Sequence, residues 1–174
     1  MIRHLAVLLC LVICTDSLFS QTNPAVQNLP FSLTAQTGTT LPAGLALHRF
    51  GTTSGAIPTT RTITPGNGDL PYATAGSTSG GWRDEGNNGL SMLASSGQSA
   101  GAWVVAINTT GMSNIEIQWT VRLILQQGSR DNSVALQYRI GNTGNFTDIG
   151  TTSTYSSTGQ AAGHSLSYSE LLPA

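Results

Sequence analysis

Along residues 114–126 the chain reads NIEIQWTVRLILQ, with apolar side chains at Ile115, Ile117, Trp119, Val121, Leu123 and Leu125. The positions between them carry Glu116, Gln118, Thr120, Arg122 and Gln126, and Ile124 is the single exception. A period-two alternation of this length predicts a long strand with one face on a core and the other in water. Gly128, Ser129, Arg130, Asp131 and Asn132 then supply a turn, after which Val134, Leu136, Tyr138 and Ile140 alternate again over 133–140. These two segments are expected to form a hairpin. A second turn-rich stretch at 141–145 leads to Phe146 and Ile149, which predict a short third strand and so an antiparallel meander.

Weaker patterns predict strands over 102–108, 90–94, 31–36 and 45–50, with a further short one at 59–64. Residues 51–89 are rich in Thr, Gly, Asn and Ser, and Pro58, Pro65 and Pro71 each interrupt a sheet ladder, so this stretch reads as long loops. Gly, Ser and Thr make up 62 of the 174 residues and Lys is absent, a composition poor in helix formers. The expected fold is therefore all-β, an antiparallel β-sandwich or jelly-roll-like domain. Another strand pattern starts at Leu166 and runs through Leu172 into Pro173 just before the sequence stops, which predicts a sandwich lacking its last strand or strands.

At the other end, Arg3 precedes an uncharged apolar run from Leu5 to Ile13, followed by small and polar residues. This predicts a helical secretory signal peptide over 1–20, cut between Ser20 and Gln21, with a cut after Ser17 as the competing choice. A single β-sandwich domain would then occupy 21–174, secreted or at a cell surface. The apolar run is too short to cross a bilayer, so no stable membrane span is expected once the leader is removed. Cys10 and Cys14 both fall inside the leader, which leaves the mature chain without a disulfide or a thiolate. An acylated Cys14 is disfavoured by the bulky Ile13 before it.

Charge and candidate chemistry narrow the function. A formal net charge of −1 with 9% charged residues lacks the basic footprint of a nucleic-acid partner. The segment Arg83-Asp84-Glu85-Gly86-Asn87-Asn88-Gly89 offers hard oxygen donors, and Asp84 and Glu85 with Asp69 are candidate Ca²⁺ ligands, although the spacing is not that of an EF-hand loop. The same Asn, Asp and Gly residues also serve any tight turn, and no cofactor is otherwise expected. Trp82, set among glycines, reads either as a cap on the sandwich or as a platform on which a sugar ring stacks, with Asp84, Asn87 and Asn88 beside it. Trp103 and Trp119 lie in strand patterns and read as packing residues. His48 and His164 are the histidines left after leader removal, and neither lies near a nucleophile elbow or at metal-ligand spacing. Pairing Asp69 or Asp148 with Asp84 or Glu85 for hydrolysis is outweighed by the turn reading, so no enzyme activity is expected.

Taken in order, several elements carry a resemblance: the leader ending beside Gln21, Leu41-Pro42-Ala43-Gly44, Gly81-Trp82-Arg83, the strand around Trp119, Leu136 to Gly141, and Phe146 to Gly150. The chain resembles the N-terminal β-sandwich region of large secreted surface proteins that Gram-negative bacteria export by the type IX route. That resemblance implies Gln21 as the mature N-terminus, no catalytic residue, and a closing strand and sorting module further on. The expected role is a structural or adhesive module, with a glycan or a surface protein as partner. A carbohydrate-binding module and an accessory fragment of an extracellular hydrolase are the alternatives, and no residue pattern sets an oligomeric state.

Overall fold

The computed structural model describes residues 22–33, 38–41, 43–49, 60–62, 69–73, 80–93, 101–126, 131–141, 145–149 and 154–173. The leader, its cleavage at Ser20 and Gln21, and both cysteines lie outside these residues. Among the described residues the fold is all-β with no helix, and its ladders are antiparallel apart from one short parallel pairing, an arrangement consistent with a β-sandwich. No helix among them is long and apolar enough to cross a membrane.

Thirteen strands are described, beginning with β1 (Gln27–Asn28), β2 (Leu45–Arg49), β3 (Thr60–Thr62), β4 (Gly81–Asp84), β5 (Leu90–Leu93), β6 (Gly101–Val105) and β7 (Ile107–Asn108). The others are β8 (Glu116–Arg122), β9 (Ser133–Ala135), β10 (Gln137–Tyr138), β11 (Asn145–Asp148), β12 (Thr154–Ser156) and β13 (Ser165–Leu171). In β8 the odd positions turn inward and the even ones outward, as the alternation requires. Its partner is not 133–140, however. β8 pairs antiparallel with β13 in a seven-residue register that sets Val121 opposite Leu166 and Trp119 opposite Tyr168. The two rings stack with centroids 4.5 Å apart and planes 17° from parallel. An aromatic pair matched across strands offsets the entropy of closing the longer loop, and the expected hairpin yields to it.

Residues 133–140 form two short strands because they serve two partners. β9 pairs with β12, β10 pairs with β11, and β11 also pairs with β3. The expected pairing of 133–140 with the strand around Phe146 is thus present at β10 and β11. Tyr155 and Ser157 are buried here, and Ser157 exchanges two bonds with Asn132: its N–H donates to the Asn132 carbonyl at 2.9 Å and its Oγ accepts from the Asn132 N–H at 2.8 Å. The Tyr155 hydroxyl lies 3.3 Å from His164 Nδ1, and the His164 carbonyl accepts from the N–H of buried Leu123.

Two expectations change in the first half of the chain. Of the strand expected over 31–36, residues 31–33 form none and 34–36 lie outside the described residues; the interval read as loops holds the expected short strand as β3, and also β4 and an extended segment, 69–73. That segment stitches two ladders together. On one side Leu70 donates to the Leu47 carbonyl of β2, which is itself paired with β6. On the other side Ala73 donates to Trp82 and Trp82 donates to Pro71, joining β4 and its hairpin partner β5. Leu47, Leu70 and Trp82 form the buried cluster between them, with Leu41, Tyr72, Leu90 and Met92 packed around it. Two glycines allow this close approach. A Cβ at Gly101 would lie 2.4 Å from Leu70 Cδ1, and one at Gly81 would lie 2.5 Å from the Pro71 carbonyl oxygen.

Candidate functional site

Where β2 meets residue 69, an isolated antiparallel bridge brings His48 and Asp69 side by side. His48 is 0% exposed, which demands a partner for its ring. Its Nε2 finds one in the Thr22 carbonyl at 2.8 Å, and so carries the proton. Nδ1, also buried, has no hydrogen-bond partner among the described residues. Asp69 grips the same residue from the other side. The Thr22 N–H donates to both carboxylate oxygens at 3.0 and 3.2 Å, and its hydroxyl donates to Oδ2 at 2.5 Å. Thr22 thus has its N–H, O–H and C=O all bound by one His and one Asp.

Beside this cluster lies a cavity of about 410 Å³, with Thr22, Thr39, Thr40 and Asp69 as its polar groups and Tyr72 and Trp82 among its walls. The two aromatic rings meet edge to face, 4.9 Å apart at 78°. Trp82 is on strand β4 and not in a loop, and it is only 4% exposed. Its indole is part of the core cluster, so no broad ring face is presented for a sugar to stack on. Trp103, on β6, is 37% exposed and less enclosed than a packing residue would be.

The acidic segment after Trp82 forms the turn of the β4–β5 hairpin, and its side chains are spent on the chain itself. Asp84 Oδ1 accepts from the Gly86 N–H at 2.7 Å, and Oδ2 accepts from the Gly38 N–H at 2.6 Å. Glu85 accepts from the Ser91 hydroxyl at 2.5 Å, while its backbone closes the turn with Asn88 and Gly89. Asn87 lies in the exposed turn, and Asn88 Oδ1 accepts from Arg122 of β8 at 3.2 Å. Asp69, Asp84 and Glu85 do not converge: no group of three or more His, Cys, Asp or Glu side chains among the described residues could hold a metal ion. Among the described residues these three carboxylates therefore do not form the expected Ca²⁺ set: donors at Thr22 take up Asp69, the N–H groups of Gly38 and Gly86 take up Asp84, and the Ser91 hydroxyl takes up Glu85.

Elsewhere, the Ser169 hydroxyl and then Gln118 donate to Glu116 and hold its carboxyl below the ordinary range. Burial pushes the Tyr155 phenol up. Arg139 lies over the Phe146 ring, 4.7 Å from its centroid, and burial lowers its guanidinium pKa. No family model, no curated protein and no solved structure matches the chain.

The His48–Asp69–Thr22 cluster was not singled out in the sequence. One signal pointed toward it: a histidine inside the apolar strand LALHR must find a hydrogen-bond partner once buried. The partner, 26 residues earlier, left no mark in local pattern.

Proposed function

We propose that the chain is a non-catalytic, secreted or cell-surface β-sandwich module with a structural or adhesive role, of the kind its resemblance to type IX-exported surface proteins implies. One observation carries this reading: the carboxylates act as fasteners. Asp69 holds Thr22, Asp84 holds Gly38 and Gly86, and Glu85 holds Ser91. Glu116 holds Ser169, Asp131 holds Thr158, and Asp148 holds Gln137. Each bond joins acidic side chains to donors of the same chain, which favours a rigid scaffold over acid–base chemistry at these groups. A rigid sheet displays its turns with little entropy lost on contact.

The cavity beside Tyr72 supports a second reading, a carbohydrate-binding module, because its lining combines threonine hydroxyls and the Asp69 carboxylate with the Tyr72 ring. The test is retention of the secreted chain on immobilised cellulose, chitin, xylan and mucin, with reducing ends and free amines assayed in the same wells. Retention without turnover is expected. Release of either product would overturn the non-catalytic reading, and loss of polysaccharide retention in Tyr72→Ala alone would favour the second.

A further inference from the structure

We propose that the cavity beside Tyr72 admits neutral sugar units and turns away acidic ones, with Asp69 as the residue that sets this preference. The inference rests on the carbohydrate reading of the same cavity and adds the class of sugar to it. Among the described residues that line the cavity, Asp69 is the one that carries a charge at neutral pH. All three hydrogen bonds that its carboxylate accepts come from Thr22, a neutral residue, through the N–H and the hydroxyl. These bonds hold the carboxylate in place without cancelling its charge. His48 binds the Thr22 carbonyl, is 0% exposed and is not among the lining residues.

The other groups in the lining suit an uncharged partner. Thr39, Thr40 and Tyr72 bring hydroxyls, which both donate to and accept from the hydroxyls of a sugar, and Leu41 brings an apolar side chain for its C–H groups. The Thr22 N–H and O–H are already given to Asp69, so they do not serve a carboxylate on the ligand. Taken as a sphere, a cavity of about 410 Å³ is roughly 9 Å across, close to the Debye length of about 8 Å at physiological salt. A second carboxylate held anywhere in it would therefore repel Asp69 with little screening and with no cation in the described lining to offset it. Selectivity here arises by exclusion: Asp69 makes no demand on a neutral sugar and penalises a uronate or a sialate.

The test pairs each polysaccharide of the retention assay with an acidic counterpart: cellulose and chitin with their uronate forms oxidised at the primary hydroxyl, xylan with glucuronate-bearing xylan, and desialylated with native mucin. In the pair that is retained, the wild type should hold the neutral member about tenfold or more tightly than the acidic one. The ratio should fall toward one at about 1 M salt, where the Debye length is about 3 Å. Asp69→Asn removes the charge and keeps an acceptor oxygen for Thr22. It should bring retention of the acidic member to within about twofold of the neutral one and leave the neutral member as it was. Glu85→Gln removes the same charge from the turn between β4 and β5, outside the cavity lining, and should leave the ratio unchanged, which separates charge in the cavity from net charge. The salt series on the wild type decides the matter if Asp69→Asn fails to fold. Equal or stronger retention of the acidic member by the wild type overturns the inference, as does a ratio that responds neither to salt nor to Asp69→Asn. Retention of no member of any pair overturns the carbohydrate reading itself, and this inference falls with it.

Discussion

Replacing Trp82 with Ala separates a core residue from a binding platform. The indole is 4% exposed and packs with Leu47 and Leu70 beneath Tyr72. The backbone of residue 82 would keep its bonds to Pro71 and Ala73, so the loss is confined to the side chain. Burying a Trp removes about 150–250 Å² from water. At about 25 cal/mol per Å² this is a transfer contribution of about 4–6 kcal/mol, and Trp→Ala substitutions in cores cost about 3–5 kcal/mol. Stability of a domain this size is on the order of 5–15 kcal/mol, so the variant should be close to unfolding, with Tm lowered by about 6–20 °C. Trp103→Ala, on β6 and 37% exposed, is the internal control and should cost about 1–2 kcal/mol. Urea unfolding followed by far-ultraviolet circular dichroism measures both without depending on the fluorophore removed. A cost below about 1 kcal/mol for Trp82→Ala, or one no larger than that of Trp103→Ala, would refute a core role for the indole.

Two other outcomes follow from the same geometry. Leu123→Asp places a carboxylate at a buried position next to the His164 bond and should abolish cooperative unfolding, whereas Gln118→Asp on the outer face of β8 should shift stability by no more than about 0.5 kcal/mol; denaturant titration compares them. Burial raises the Tyr155 pKa, so the unfolded chain releases this proton first, near pH 10, and the folded chain only above that. The corresponding stability is intact below about pH 10 and is lost as pH rises further. Tm measured between about pH 9 and 11 should fall for the wild type and fall less steeply for Tyr155→Phe.

The strand at β8 was legible because its inward positions are all apolar and its outward ones almost all polar, a pattern that needs no partner to be read. Which strand it joins was not. Adjacent strands pair often enough to make 133–140 the natural choice, yet the Trp119–Tyr168 stack lies across a separation that periodicity does not encode. Trp82 was misplaced for a related reason. Glycines around it read as loop, while Gly81 is there because the Pro71 carbonyl leaves no room for a Cβ. Asp84 ends β4 and Glu85 opens the turn after it, but their donors at Gly38 and Ser91, like that of Asp69 at Thr22, are fixed only by the folded chain. Isolated carboxylates in a polar sequence look like ligands until those N–H and O–H donors are in view.

The central claim is that these carboxylates fasten the scaffold and perform no chemistry of their own. Hydrogen exchange measured by mass spectrometry on the wild type, Asp69→Asn, Asp84→Asn and Glu85→Gln tests it most directly, with retention and turnover assayed on the same samples. Faster exchange is expected at residues 22–28 in the first variant, around Gly38 and Gly86 in the second, and around Ser91 in the third, with surface retention kept in all three. Unchanged exchange together with lost retention or lost turnover would contradict the account, because the carboxylates would then be acting on a ligand instead of on the chain.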